Sequence, residues 1–342
     1  VAIEGAKACP DWVMLNAGDA GYYHGGYGPL ALEALFRKGF ARLSGAERVG
    51  VLRDMGALLA RGDVPAADVL ARVPELAKDP SVEILEGALG LVAAVRDPMV
   101  PPALRPSFAR FVQKAFGARA HAIGWLPKPS DDERTRMLRP SLLRSAADRG
   151  EDAALLAEAQ ALAGRWLDDA SAVPPDMVGA VLAVAAGHGD RRLFDRFVAE
   201  LAKTQDQTRR QNIVRALSSF RDPGLVRAAL GVFLGETLDP RLGVELLWQD
   251  DRVADVAFDF VKQRYDAVLA KMPSPLHGDL PTLADPFCDE AHLADVKAFF
   301  TPRIEKLVGG PRNLAKAVER ITLCNAQRRV HEPSLTSFLK KY

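Results

Sequence analysis

The histidines, cysteines and isolated serines are the residues with which catalysis would have to begin. Histidines stand at positions 24, 121, 188, 277, 292 and 331. A zinc hydrolase of the His-Glu-x-x-His kind needs two of them four residues apart on one helical face. The Glu between them activates the attacking water. No two of these histidines are four apart, and His331-Glu332 runs on into Pro-Ser-Leu. The densest metal-like cluster is Cys288, Asp289, Glu290 and His292. It lacks the second Cys or His pair that would complete four ligands, so it reads as an acid-rich helix start. Cys9, Cys288 and Cys324 are odd in number and widely spaced, which is not a disulfide framework. They read as three free thiols, Cys324 in the core, with a single pair among them left open. Ser44, Ser218 and Ser219 have no Gly-x-Ser-x-Gly context. His188, between two glycines, reads as a helix end rather than a base. Gly25-Gly26 and Gly309-Gly310 are not followed by Lys-Ser/Thr and make no phosphate loop. No catalytic residue and no metal ligand is therefore assigned, and no cofactor is expected in this chain.

Composition narrows the rest. Of 342 residues, 45 are basic and 44 acidic, a formal charge of +1. Such a balance offers no field for nucleic acid or an anionic membrane. No apolar run approaches the length of a membrane span. The opening Val-Ala-Ile-Glu-Gly-Ala-Lys is not a signal peptide, and the missing initiator Met reads as a processed or excised chain. The compartment stays open between cytoplasmic and exported. Hydrophobic residues at 48% suffice for a continuous core.

The elements that would position any site are helices. Only residues 12–27 read as extended. Trp12, Met14 and Asn16 alternate with Val13 and Leu15, and Tyr22-Tyr23 follows a glycine turn, which predicts a β-hairpin end. From Pro29 the apolar period becomes helical, as in Leu32, Leu35, Phe36, Phe40 and Leu43. Ser44-Gly-Ala-Glu47 predicts a capping box, and Arg61-Gly62 the end of that helix. Asp-Pro recurs at 79, 97, 222, 239 and 285, where Asp would cap and Pro would take the first helical position. The longest stripe runs Val253, Val256, Ala257, Phe260, Val261, Val268, Leu269. Met272–Asp285, with its prolines and His277-Gly278, reads as a long irregular loop of the kind that is functional or mobile. The predicted fold is all-α. It is an α-solenoid of antiparallel helix pairs over 29–342, preceded by a short β remnant over 1–28.

Several segments resemble the zinc aminopeptidases of the aminopeptidase N and puromycin-sensitive type. Leu15-Asn16 with Gly21-Tyr22-Tyr23 is similar to the junction that closes the family's β-sandwich and opens its C-terminal helical domain. His24 stands where the family usually has Arg. Gly124-Trp125-Leu-Pro-Lys128, Leu138-Arg139, Pro174-Pro175-Asp176 and Ala257-Phe258-Asp259-Phe260-Val261-Lys262 follow in the family's order. Phe287-Cys288, Val296 to Phe300 and Glu319-Arg320-Ile321 with Asn325 complete it. Phe258 replaces a usual Trp, and the Trp that usually follows Asn325 is missing. The resemblance covers nearly the whole chain but only the C-terminal part of the family's polypeptide.

The resemblance implies a role without bond cleavage. The family's Gly-Ala-Met-Glu-Asn segment is absent along with its zinc motif. Zinc and hydrolysis would then belong to upstream domains of the same polypeptide, the catalytic domain and the β-sandwich. This chain would be the lid that closes over them and controls the access and position of peptide substrates. His277, Arg303 and Arg312 are the candidates for contacting the far end of a peptide, since Arg can hold a carboxylate by two parallel hydrogen bonds. Trp12, Tyr22 and Tyr23 would pack the seam between the β remnant and the first helices. The competing reading is a free-standing solenoid adaptor that binds a protein on its concave face. A β remnant argues against it, because two strands are not a stable sheet alone.

Overall fold

The computed structural model describes residues 8–342. Among the described residues the regular elements are α-helices joined by short 3-10 and π turns, with no strand. The helices form two compact units, Val1–Arg96 with Val330–Lys341, and Asp97–Arg329 with Tyr342.

The first unit holds α1 (Pro29–Ala34), α2 (Gly45–Arg61), α3 (Ala66–Leu70), α4 (Val73–Leu76) and α5 (Val82–Ala94). The capping box forms: the Ser44 N–H donates to Glu47 Oε2 at 2.8 Å, and the Glu47 N–H donates to Ser44 Oγ at 3.3 Å. Helix α2 ends at Gly62, whose φ of 80° is the left-handed turn that a C-cap glycine supplies. Its buried Val51, Leu52, Met55, Leu58 and Leu59 pack on α5, which buries Ile84, Leu85, Ala88, Leu89 and Val92. Each such side chain taken from water contributes roughly 1.5–3 kcal/mol. His331 lies in this unit, fully buried, and its Nε2–H donates to Leu59 O at 2.8 Å.

The hairpin expected at 12–27 does not form. The alternation is real: Asn16 is buried and Trp12 and Met14 half-buried, while Val13 and Leu15 face out. An extended segment without a neighbour has no ladder to join, so side chains hold it instead. Asn16 Oδ1 accepts from the Gly21 N–H at 2.8 Å, and its Nδ2 donates to Gly21 O at 2.9 Å. Trp12 lies against Gly39, where a Cβ would meet the indole at 2.5 Å. Tyr22 and Tyr23 are exposed, contrary to the expected packing of the seam. The buried ring is Tyr27, whose hydroxyl accepts from the Leu15 N–H at 3.0 Å. Tyr22→Ala should therefore change stability by no more than about 0.5 kcal/mol. Tyr27→Phe, which strips Leu15 of its acceptor, should cost about 1 kcal/mol. Urea unfolding of both variants checks this; a Tyr22 effect equal to the Tyr27 effect would reverse the assignment.

The second unit holds α6 (Arg105–Ile123), α7 (Glu133–Arg144), α8 (Ala153–Asp168), α9 (Pro175–Gly187), α10 (Arg191–Lys203), α11 (Gln207–Leu217), α12 (Pro223–Leu234), α13 (Pro240–Gly243), α14 (Ala254–Gln263), α15 (Tyr265–Lys271), α16 (Glu290–Ile304) and the start of α17 (Gly310–Leu339). Asp132, Asp152, Asp190, Asp206, Asp222 and Asp239 cap helices through their carboxylates. Antiparallel neighbours pack face to face. Helix α8 buries Leu155, Ala159, Leu162, Ala163 and Trp166 against α9, which buries Val178, Val181, Leu182 and Ala185. Trp125 is fully buried and donates from Nε1 to Leu155 O at 3.0 Å.

Four expectations change here. Only two Asp-Pro pairs, at 222 and 239, cap a helix. Ser81 caps α5 and Asp289 caps α16, because each stands immediately before its helix while Asp79 and Asp285 do not. The stripe from Val253 to Leu269 is two helices, broken at Arg264 by a φ of −122°. Met272–Asp285 is not a loose loop. Ser274–Ala284 is 3-10 helical and buries Gly278, Leu280, Pro281, Leu283 and Ala284. Gly278 sits so close to the chain before α17 that a Cβ would lie 2.0 Å from Val308 O. Asn313 Nδ2 donates to Gly278 O at 3.0 Å and to Asp279 Oδ1 at 2.8 Å. Lastly, Cys288 and Cys324 are a disulfide rather than free thiols, buried beside Met99, and Cys9 is exposed and free. Helix α17 brings Cys324 back to the turn that precedes α16, a return that spacing along the chain does not encode.

Candidate functional site

A heavily charged, largely buried cluster lies on turns between helices of the second unit. Arg221 donates to Asp148 through two parallel bonds, Nη1 to Oδ1 at 2.5 Å and Nη2 to Oδ2 at 2.9 Å. It also donates to Asp250 Oδ2 from Nε and Nη2, at 3.1 and 2.9 Å. His188 Nε2 lies 3.0 Å from Asp148 Oδ1. Asp97 accepts from Arg149 at 3.2 Å and from Arg252 Nε, a contact spanning 155 positions of sequence. Burial alone would raise the Asp148 carboxyl. Hydrogen bonds from His188 and Arg221, with the charges of Arg221 and Arg252, outweigh burial and hold it far below the usual carboxylate range. Burial would likewise lower Arg221, but Asp148 and Asp250 hold its guanidinium charged well beyond its ordinary range. Asp97 is lowered against its own burial by Arg252 and Arg149. A carboxylate so firmly ionised and fully engaged is a poor proton acceptor near neutral pH. Three arginines against three aspartates make a structural clasp, and sequence reading missed it because its members lie on separate turns.

The residues singled out from sequence fall in two places. His277 and Arg312 belong to the docked pair of segments, the 3-10 stretch at 274–284 and the start of α17. The His277 ring donates from Nε2 to Met272 O at 2.9 Å. Arg312 is exposed. Arg303 sits in the last turn of α16, its guanidinium 4.4 Å from the centre of the Phe299 ring and 5.8 Å from that of Tyr265. Its Nη1 donates to Phe299 O at 2.6 Å. The Cys288–His292 cluster is spent on structure. Cys288 is in the disulfide, and Asp289 accepts from the His292 N–H at 2.9 Å while its Oδ2 lies 2.6 Å from His292 Nδ1. Among the described residues no group of three or more His, Cys, Asp or Glu side chains is arranged to hold a metal ion. The described residues do not fit the zinc that the resemblance implies.

Two surface features were not anticipated. A groove of about 410 Å³ between α8 and α10 is lined by Gln160, His188, Arg192 and Arg196, among others. Arg196 is engaged with Asp168 at 2.6 Å. The second feature is apolar: Val13, Leu15, Tyr22, Tyr23 and Leu30 stand exposed within one short stretch of the first unit. Among the described residues no helix is long and apolar enough to cross a membrane.

The described residues form an all-α array of antiparallel helix pairs. Residues 12–323 match the model of the ERAP1-like C-terminal domain, and the chain belongs to that family. It is 21% identical over 332 residues to Aminopeptidase 2 of Candida albicans, covering 91% of this chain and 35% of that protein. It is 22% identical over 323 residues to Aminopeptidase M1-D of rice, Oryza sativa subsp. japonica, with 91% and 36% covered. It is 26% identical over 229 residues to the puromycin-sensitive aminopeptidase of Caenorhabditis elegans, with 66% and 24% covered. The chain thus spans about a third or less of the length of these relatives.

Proposed function

We propose that this chain acts as the C-terminal lid of a zinc metallo-aminopeptidase. It closes over a catalytic domain carried upstream in the same polypeptide, and it admits and positions peptides for removal of N-terminal residues. The observation that carries this reading is the family match over residues 12–323, in a chain whose sequence contains no His-Glu-x-x-His. Zinc, and the water it activates, belong in this reading to the upstream domain, and no step of the chemistry passes through the residues described here. The exposed Val13, Leu15, Tyr22, Tyr23 and Leu30 support the reading. A row of apolar side chains left outside a packed unit suits a face covered by the preceding β-sandwich. In that setting residues 1–28, of which 1–7 lie outside the described residues, belong to the end of the β-sandwich.

Within the lid, Arg312 is the foremost candidate for the far end of a peptide, with His277 in the segment docked beside it. Arg303 is already engaged on two rings and one carbonyl and is the weaker candidate. In the polypeptide that includes the catalytic domain, Arg312→Ala should lower kcat/KM on short peptides about ten- to a hundredfold. That is the effect of losing a charge-assisted contact. Single-residue amides, which do not reach the lid, should be cleaved as before. Equal losses on both substrate classes, or none, would remove Arg312 from the peptide site.

A further inference from the structure

The turn between α16 and α17 carries a local excess of positive charge. From Arg303 to Lys316 the chain holds Arg303, Lys306, Arg312 and Lys316 against one acid, Glu305, whereas the whole chain has a formal charge of only +1. Acids on the neighbouring segments are already matched. Asp285 pairs with Arg320, Glu290 with Arg329 and Asp295 with Lys262, and Asp279 accepts from Asn313. Glu319, exposed, is the next acid along α17. Arg303 is engaged on its two rings. Lys306, Arg312 and Lys316 are exposed, and among the described residues none of the three has a hydrogen-bond or ion-pair partner. The turn that presents them is fixed by its own backbone. The Leu307 N–H donates to Ile304 O at 3.0 Å, the Gly310 N–H to Leu307 O at 2.9 Å and the Asn313 N–H to Gly309 O at 3.0 Å. Gly309 takes a φ of 76°, which glycine adopts without a steric cost. The Val308 carbonyl packs on Gly278. Arg312 and Lys316, four apart on α17, share one face of the helix.

We infer that this turn selects peptides that carry Asp or Glu side chains toward their far end. The inference rests on the lid reading above, in which Arg312 meets that end of the substrate. Arg312 offers a carboxylate two parallel donors, and Lys306 and Lys316 add point charges that can follow a flexible chain. An acidic segment is drawn to such a surface, and a basic one is repelled. Each contact is weak by itself, as exposed ion pairs are. A peptide held by its N-terminal end in the upstream domain presents its far end at a high effective concentration, however. Weak contacts then suffice to discriminate between substrates that bind alike at the cleaved bond.

The test uses the polypeptide that includes the catalytic domain, with peptides of one length that differ only in their distal residues, Glu, Gln or Lys. Each is made with a free and with an amidated C-terminus. The expected order of kcat/KM is Glu, then Gln, then Lys, with Glu ahead of Gln by about tenfold at low ionic strength. The gap should shrink to about twofold or less near 1 M salt, where charges are screened within about 3 Å. It should persist in the amidated set. The double variant Lys306→Gln with Lys316→Gln, at exposed positions, should reduce the gap to about threefold or less. Equal kcat/KM on Glu and Gln peptides overturns the inference, and so does a gap that neither salt nor the double variant reduces. A difference between free and amidated peptides without a Glu–Gln gap would assign the cations to the terminal carboxylate instead. Sedimentation with phosphatidylserine vesicles by the parent but not by the double variant, again without a Glu–Gln gap, would assign them to an anionic bilayer. Both results overturn the inference. Its failure is separable from that of the lid reading. If Arg312→Ala slows peptides and spares single-residue amides while Glu and Gln peptides are cleaved alike, the inference alone falls. If amides and peptides slow together, both fall.

Discussion

Asp148→Asn should lower the free energy of unfolding by about 3–5 kcal/mol. The cause is not the loss of one attractive pair but what remains behind. Arg221 would stay only half-balanced by Asp250, and Arg252 would lose the carboxylate 3.7 Å from its Nη1. An uncompensated charge held away from water is far more costly than a missing surface bridge. The same carboxylates set a pH dependence whose sign follows from their direction of shift. The Asp148 and Asp97 carboxyls are held below the ordinary value in the folded chain. Their contribution is then fully present above the unfolded carboxylate range, near pH 4. It is lost as pH falls below that value toward the folded one. Urea unfolding between pH 7 and pH 3 should show a plateau at the upper end and a steep decline at the lower. The slope should be shallower in Asp148→Asn. A variant within about 1 kcal/mol of the parent at pH 7, with an unchanged acid slope, would show that the clasp is solvated and dispensable.

Reducing the Cys288–Cys324 bond, or replacing Cys324 by Ser, should cost about 2–5 kcal/mol. The bond closes a loop with a sequence separation of 36, and both sulfurs are buried beside Met99. Part of the effect acts through the unfolded chain, which gains freedom when the loop opens. Part is local, since the serine hydroxyl would occupy a buried site built for sulfur. A thiol titration of the denatured, unreduced protein should find one reactive cysteine, Cys9, and a peptide map should link the segments around 288 and 324. Three titrating thiols would show the bond absent. In that case Cys324→Ser should cost only what a polar atom in the core costs.

Much of this protein was legible in its residues. Helical periodicity located most of the array, because each helix buries a stripe that repeats every three to four residues. Local chemistry placed the cap well where donor and acceptor are close in sequence, as at Ser44 with Glu47. The order of short motifs from Trp12 to Asn325 led to the aminopeptidase resemblance, and the family match spans nearly the same residues. The alternation at 12–16 is present in the structure, with Asn16 buried and Val13 and Leu15 exposed. It was misread as a hairpin, because alternation describes faces and says nothing about whether a partner strand is present.

What only the tertiary structure decided depends on residues far apart in the chain. Tyr22, Tyr23 and Tyr27 are one residue type within six positions, yet only Tyr27 is buried. Its hydroxyl accepts from the Leu15 N–H, at a distance set by how the segment between them folds back. Cys288 and Cys324 became a pair only when α17 returned beside the turn before α16. Asp97 found Arg252 across 155 positions, and Asp148 found Arg221 across 73. Charged residues of this kind are common on helical arrays and are ordinarily solvated, so nothing local distinguishes these from the rest. Burial selects them, because a charge removed from water must be matched by an opposite charge in bonding geometry, and only the packing of distant turns supplies one.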